Sequence, residues 1–214
     1  MLLLKNWKKV IQLNDKQLPI IFIGFMGTGK STIGEFLSLE EQLTFIDLDS
    51  YIEIEENKTI PEIFEQIGEN GFRKLEYKYL KECISKYDVI STGGGVIENI
   101  DSLNLLKQLT NVIWLDCHID TIYRRIVNDP HRPNAKNKTK NQLKNLYSSR
   151  VSRYNEIAFM KVNSEKTIKE IYDFIINHLS CGWSVLERIL IIICILYKCN
   201  RFHCDFSLSP KVQV

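Results

Sequence analysis

The segment "GFMGTGKST", residues 24–32, follows directly on a run of four apolar residues, 20–23. It satisfies the pattern G-x-x-x-x-G-K-S/T between a predicted strand and a predicted helix, with its fixed positions at Gly24, Gly29, Lys30 and Ser31. The glycines let successive backbone N–H groups turn towards an anion, and the following helix adds the positive end of its dipole. In such a loop the lysine contacts the β- and γ-phosphates of a nucleotide and the serine hydroxyl binds Mg²⁺. The segment therefore predicts a phosphate-binding loop (P-loop) rather than an accidental glycine turn.

Apolar runs alternate with amphipathic stretches along most of the chain, which is typical of a parallel sheet covered by helices on both faces. The expected architecture is an α/β P-loop NTPase fold in three layers, a five-stranded parallel sheet flanked by helices, with a mobile lid. The predicted strands are 19–23, 43–47, 87–91, 111–115 and about 158–162. The predicted helices are about 30–38, 49–56, 60–69, 72–85, 99–109, 118–127, 142–156 and 166–178.

Length and composition indicate one core domain with appendages. The chain has 214 residues, 44% of them hydrophobic and 25% charged, as is ordinary for soluble globular proteins. We expect an N-terminal extension (1–18), a P-loop domain (19–179) and an atypical C-terminal tail (180–214). The three opening leucines are too few for a secretory signal, and the apolar run 189–197 is too short to span a membrane, so we expect a cytoplasmic protein.

Two aspartates, Asp47 and Asp49, stand two residues apart at the end of a predicted strand. Alternation along a strand puts both carboxylates on one side, and the carboxyl edge of a parallel sheet opens onto the ligand crevice. One carboxylate could hold the water shell of a metal while the other accepts a hydroxyl proton. The alternative is that Asp49 only caps the helix 49–56.

Three further stretches contain candidate binding residues. Arg73 and Glu76 are three apart on a predicted helix, where the arginine fork suits a carboxylate, although an isolated pair is also typical of a surface ion pair. Three glycines, 93–95, follow a predicted strand and either expose N–H groups to a ligand or form a tight turn. The polar gap 128–142 contains two prolines and predicts a mobile lid at about 129–142.

Taken in order, these stretches resemble the shikimate kinase family. The matching blocks are "GFMGTGKST", "DLD", "GENGFRKLE", "STGGG", "HRPNAKNK" and "SSRVSRYNEIA", and they span about residues 19–179. The resemblance implies an ATP-dependent kinase that phosphorylates the 3-hydroxyl of shikimate, a step towards chorismate and the aromatic amino acids. Its expected partners are the small molecules shikimate and ATP with Mg²⁺, and it is expected to be a monomer. Family members commonly have two leucines after the Arg-Pro pair of the lid, whereas this chain has Asn134 and Ala135 at those positions.

The resemblance also implies roles for single residues. Ser31 matches the Mg²⁺ ligand, with Asp47 supporting the ion through water, and Asp49 matches the residue that binds the substrate hydroxyl and acts as its base. Arg132 matches the lid arginine that closes over ATP and joins Lys30 and Asp49 as a catalytic residue. The implied nucleotide contacts are Gly27, Thr28, Gly29, Lys30, Ser31, Thr32, Arg125 and Arg132. The implied shikimate contacts are Asp49, Arg73, Gly94, Gly95 and Arg150, of which the two arginines hold the carboxylate.

Several alternatives stay open from the sequence. A gluconate or nucleotide kinase of the same fold would not need two arginines at one carboxylate, and a regulatory module without turnover would not need Asp49. The stretch 130–155 contains seven basic and no acidic residues, but it lacks the interleaved aromatics of a single-strand nucleic-acid binder, and the net charge of +2 favours no nucleic acid. The sequence of the tail favours a packed helix, an unselected read-through segment or a basic surface anchor. A zinc site is disfavoured because the tail has no C-x-x-C pair.

Overall fold

A computed structural model describes residues 18–126 and 139–180 of the chain. Five strands form one sheet in the order β2-β3-β1-β4-β5, and every neighbouring pair is parallel. The predicted five-stranded parallel sheet is therefore confirmed, and each strand falls within two residues of its predicted start. The strands are β1 (Ile20–Ile23), β2 (Phe45–Asp47), β3 (Val89–Ser91), β4 (Val112–Asp116) and β5 (Met160–Asn163).

Helices connect the strands, as a parallel sheet requires. Over the described residues they are α1 (Lys30–Glu41), α2 (Leu48–Glu56), α3 (Ile60–Ile84), α4 (Ile100–Lys107), α5 (Ile119–Ile126), α6 (Lys140–Ile157) and α7 (Ile168–Ser180). A short 3₁₀ turn, Val96–Glu98, precedes α4. Within residues 18–126 and 139–180, no helix combines the length and the apolar character needed to cross a membrane.

Helix α3 consists of two helical halves, as the prediction of helices at 60–69 and 72–85 expected, but the break lies slightly earlier. The two halves are contiguous and meet at a kink at Gly68, whose φ of 67° and ψ of 179° are not helical. Glycine tolerates a positive φ at low cost, so the chain turns there without a loop. The bend matters for the site because the second half of α3 carries Arg73 and Glu76.

The central strands β1, β3 and β4 are buried on both faces. Side chains of one face, including Ile21, Ile90 and Trp114, pack against α2, α3, α4 and α6. Side chains of the other face, including Phe22 and Leu115, pack against α1 and α7. Burial on both faces explains why β1 reads as an unbroken apolar run, and it confirms helices on both sides of the sheet.

The position of β1 determines where a ligand can bind. The chain passes from β1 to β2 and β3 on one side and then returns to β4 on the other, so the connections after β1 and β3 leave the sheet in opposite directions. In open parallel sheets such a reversal creates a crevice at the carboxyl ends of the strands, which is the usual ligand site. The P-loop follows the carboxyl end of β1 directly.

Candidate active site

The loop between β1 and α1 has the backbone of a phosphate cradle. Gly24, Gly27 and Gly29 adopt positive φ angles of 138°, 76° and 87°. A Cβ on Gly24 would stand 2.2 Å from the carbonyl oxygen of Leu115, so no larger residue fits there. Gly29 is the N-cap of α1 and makes no side-chain cap, so the N–H groups of the first turn are not capped by a side chain and face the loop.

Lys30 lies inside this loop. Its side chain is buried, and its Nζ donates to the carbonyl oxygens of Gly24 at 2.9 Å and of Phe25 at 3.0 Å. Thr28 is also buried and donates through its hydroxyl to the Phe25 carbonyl at 2.8 Å. The ammonium is thus held at the centre of the loop, where phosphate oxygens would replace carbonyl oxygens as its acceptors. Thr32 follows in the exposed first turn of α1.

Ser31 and Asp47 meet at the mouth of the loop. The Ser31 hydroxyl donates to Oδ2 of Asp47 at 2.5 Å. Asp47 is the last residue of β2 and also the N-cap of α2, where its Oδ1 accepts from the Ser50 N–H at 3.3 Å. A hydroxyl and a carboxylate in contact beside a phosphate cradle are hard oxygen ligands of the kind that Mg²⁺ takes.

Asp49 lies differently from the sequence argument. The strand ends at Asp47, so Asp49 is in the first turn of α2, and strand alternation is not what brings the two carboxylates together. The alternative that Asp49 caps the helix is also wrong, because Asp47 is the cap. A Cβ on Gly93 would stand 2.7 Å both from Oδ1 of Asp49 and from Oε1 of Glu76, which shows that both carboxyl groups border the glycine turn.

Arg73 is fixed against the same turn. Its Nη1 donates to Oε2 of Glu76 at 2.7 Å, and its Nη2 donates to Oε1 of Glu69 at 3.2 Å. The Glu76 side chain is fully buried and that of Arg73 is 13% exposed, so a surface ion pair is excluded. A Cβ on Gly95 would stand 2.1 Å from Nη2 of Arg73, because the guanidinium lies directly on the Gly95 backbone.

Arg150 reaches the turn from α6. Its Nη1 donates to the Gly94 carbonyl at 3.2 Å and its Nε donates to Oε1 of Glu98 at 2.7 Å. The Tyr154 hydroxyl donates to the same Gly94 carbonyl at 2.5 Å. The Arg150 guanidinium also lies 5.7 Å from the ring centroid of Phe25, within the P-loop. The structure therefore brings Arg150 between the glycine turn and the phosphate loop.

Charges of both arginines act on one buried carboxyl group. Burial raises the pKa of Glu76 to about 7, while the Arg73 guanidinium opposes this rise and the Asp49 carboxylate adds to it. The charge of Arg150 also lowers the pKa of Glu76, to a smaller extent. Two guanidinium groups from different helices thus share one electrostatic environment beside Asp49.

The glycine turn joins the two halves of the site. A Cβ on Gly94 would stand 2.9 Å from the backbone nitrogen of Met26, so the turn packs directly against the P-loop. Glycine is required here by the close approach of two backbones, and a tight turn alone would not explain it. A ligand held by the arginines is therefore adjacent to a phosphate group held by the loop.

Arg125 connects the P-loop to the segment after β5. Its Nη1 donates to the Gly27 carbonyl at 3.1 Å and its Nη2 to the Ser164 carbonyl at 3.0 Å. The sequence did not indicate which residue near 163–167 approaches the P-loop region, and in the structure Ser164 is the one that contacts Arg125. The predicted Arg132 and the lid segment up to residue 138 lie outside the described residues.

The parallel sheet has a P-loop at its switch point, a hydroxyl–carboxylate pair beside the loop and two arginines on the adjacent glycine turn. These features together define the class as a P-loop kinase of small molecules. The family model described as shikimate kinase matches residues 26–180. The chain belongs to the shikimate kinase family.

Individual relatives agree with this assignment. The shikimate kinase of Staphylococcus haemolyticus is 72% identical over 170 residues, which cover 79% of this chain and 99% of that protein. The shikimate kinase of Acinetobacter baumannii, solved in complex with shikimate, is 30% identical with a TM-score of 0.70, covering 78% of this chain and 96% of its own. The shikimate kinase of Aquifex aeolicus is 35% identical with a TM-score of 0.66, covering 76% and 96%.

Proposed function

We propose a division of labour among the residues of this site, in a chain whose reaction is the ATP-dependent phosphorylation of shikimate. The observation that carries the proposal is the convergence of Arg73 and Arg150 on the glycine turn next to the P-loop. Two guanidinium forks beside each other form a site for a carboxylate. Shikimate offers a carboxylate on ring carbon 1 and, two ring positions away, the 3-hydroxyl that accepts the phosphoryl group.

At the phosphate end, Lys30 and the N–H groups of the loop bind the β- and γ-phosphates. The residues present fit Mg²⁺, since the Ser31 hydroxyl and the Asp47 carboxylate are already in contact at 2.5 Å. When bound, the ion neutralises charge on the transferred group. In our proposal Ser31 ligates the ion directly and Asp47 supports it through water. Thr28 and Thr32 complete the loop, and Arg125 and Arg132 serve the nucleotide.

At the acceptor end, Asp49 orients the 3-hydroxyl and accepts its proton as the hydroxyl oxygen bonds to the γ-phosphorus of ATP. The bond from that phosphorus to the β,γ-bridging oxygen breaks at the same time, and ADP leaves. The supporting observation is the place of its carboxyl group beside Gly93, in the glycine turn that Arg73 and Arg150 also contact. Gly94 and Gly95 provide the backbone floor on which the acceptor lies. Catalysis is then mainly positioning and charge neutralisation, as is usual for phosphoryl transfer.

We also propose a monomer that binds no nucleic acid and acts in the cytoplasm. The monomer is supported by the site itself, because Asp49, Arg73 and Arg150 reach it from one chain. Binding of RNA by the basic stretch 130–155 is disfavoured, because Arg150 and Arg153 both pair with Glu98. The tail beyond residue 180 is proposed to be dispensable for the reaction.

The carboxylate clamp is tested with an acceptor analogue. We expect an analogue with a hydroxymethyl group in place of the carboxylate to lose about 10- to 150-fold in kcat/KM, since one charge-assisted interaction contributes about 1.5–3 kcal/mol. The measurement is steady-state ADP release with both acceptors. The matched comparison is Arg73→Ala, which should lose activity with shikimate and distinguish the two acceptors less strongly than wild type, because only Arg150 then holds the carboxylate. Equal kcat/KM of the wild-type protein for both acceptors would contradict the clamp.

A further inference from the structure

Glu98 is bound to the arginine that we assign to the acceptor carboxylate. Its Oε1 accepts from Nε of Arg150 at 2.7 Å, and its Oε2 accepts from Nη1 of Arg153 at 2.8 Å. The Glu98 side chain is 31% exposed and that of Arg150 is 8% exposed, so the contact to Arg150 is the more sheltered one. The two residues are 52 positions apart in the sequence, and no local pattern predicts their pairing.

The backbone of Glu98 is held by the glycine turn. The Glu98 N–H donates to the Gly95 carbonyl at 2.9 Å, and the Val96 N–H donates to the Gly93 carbonyl at 3.3 Å. Glu98 therefore ends a 3₁₀ turn that grows directly out of the acceptor floor. Its carboxylate connects that floor to α6, which carries Arg150.

The contact through Nε determines how the guanidinium is oriented. A guanidinium has five N–H donors in one plane, and Arg150 uses two of them in its contacts to Glu98 and to Gly94. Fixing Nε and one Nη1 hydrogen sets the plane of the fork and leaves donors for a ligand. Arg73 has a corresponding partner in Glu76, so each of the two arginines has its own carboxylate.

We propose that Glu98 is a positioning residue for acceptor binding, which fixes the Arg150 fork in the plane that receives the substrate carboxylate. This inference rests on the proposed clamp. A pre-oriented side chain binds more tightly because its rotamer freedom is not lost on binding. Glu98 also places a negative charge near the acceptor carboxylate, and charge alone would weaken binding. Orientation and charge therefore predict opposite effects of its removal.

Two substitutions separate these effects. Glu98→Gln retains an oxygen that accepts from Nε and removes the charge, whereas Glu98→Ala removes both. If orientation dominates, Glu98→Ala raises the KM for shikimate about three- to tenfold and Glu98→Gln stays within about twofold of wild type, as expected for one immobilised side chain. The KM for ATP and kcat should change little in both variants. If charge dominates, both variants lower the KM for shikimate, and the proposal is wrong.

A matched control is Arg153→Ala, which removes the other partner of Glu98 and leaves the contact to Arg150. Arg153 is 44% exposed and bonds to Glu98 and to the Ile97 carbonyl. We expect this variant to keep the KM for shikimate within about twofold, as is usual for an exposed ion pair. A rise equal to that of Glu98→Ala would overturn the proposal, because the general integrity of the turn would then explain both.

The decisive experiment is a double-mutant cycle of Glu98→Ala and Arg150→Ala, with shikimate KM as readout and thermal unfolding as a check on folding. We expect Glu98→Ala to have no further effect in the Arg150→Ala background. Independent, additive effects would contradict the role of Glu98 but leave the clamp intact. If Arg150→Ala alone leaves the KM unchanged, the clamp is wrong and the inference falls with it. The proposal would also be wrong if Glu98→Ala raised the KM for the hydroxymethyl analogue as much as the KM for shikimate, because the effect would then not depend on the carboxylate.

Discussion

Asp49→Asn should lower kcat by about 10²-fold or more and leave the affinity for an ATP analogue within about twofold of wild type. The amide retains the size and the hydrogen-bonding shape of the carboxyl group, but it cannot accept the proton of the acceptor hydroxyl. Asp49 borders Gly93 on the acceptor side of the turn, whereas the phosphate cradle is formed by residues 24–32. Loss of the base should therefore affect transfer much more than nucleotide binding.

The control for this variant is Asp101→Asn. Asp101 is the second residue of α4, as Asp49 is the second residue of α2, and its side chain is exposed. The same change of charge at the same helical position should leave kcat unchanged. Calorimetry with a non-hydrolysable ATP analogue gives the binding measurement. If Asp49→Asn abolishes nucleotide binding in a folded protein, Asp49 serves the metal site, and the roles of the two aspartates are reversed.

Lys30→Met should impair both nucleotide binding and transfer. Lys30 is buried in the loop, where its Nζ contacts two carbonyl oxygens at 2.9 and 3.0 Å. Removing the ammonium removes charge-assisted hydrogen bonds to the phosphates, which corresponds to about a 10- to 150-fold loss of ATP affinity. The loss in kcat should be larger, about 10²- to 10³-fold, because negative charge shifts during the transfer.

Lys107→Met provides the comparison for Lys30. Lys107 lies on α4 and forms a surface ion pair with Glu156 at 2.7 Å. Pairs of this kind contribute about 0–1 kcal/mol to stability, so neither kcat nor ATP affinity should change. Wild-type affinity for the ATP analogue in folded Lys30→Met would show that the loop backbone alone binds the phosphates and would remove Lys30 from the account.

The strands, the helices and the P-loop could be predicted from the sequence, and the residues at which helices begin or break less well. The P-loop is contiguous, so its glycines, lysine and serine are visible as one pattern. The strand starts were predicted within two residues, and the clearest of them is β1, whose burial on both faces gives an unbroken apolar run. The strand end at Asp47 was predicted, but strand alternation was wrongly extended to Asp49, because Asp47 also caps a helix that begins at Leu48. Two helices were predicted with a gap at residues 70–71, whereas the break lies at Gly68, within the predicted first helix.

Non-local features of the site depended on resemblance or were missed. No spacing rule connects α3 with α6, so the sequence alone could not predict that Arg73 and Arg150 converge. Only the resemblance to the family implied it. Glu98 was missed as a partner of Arg150 and Tyr154 was missed as a partner of the Gly94 carbonyl, since these pairs are 52 and 60 positions apart. Only the packing of α6 against the turn brings these groups together. Sequence patterns report neighbours along a helix or strand, and the acceptor side is built between elements.

One measurement tests the central claim, that this site phosphorylates shikimate, most directly. It is coupled ADP release from ATP and Mg²⁺ by the purified full chain, with shikimate, gluconate and CMP as acceptors at equal concentration. A site built around a carboxylate clamp and an acceptor base should turn over shikimate faster than either alternative by about 10²-fold or more. Release with gluconate or CMP at the rate seen with shikimate, above the rate without acceptor, would contradict the account.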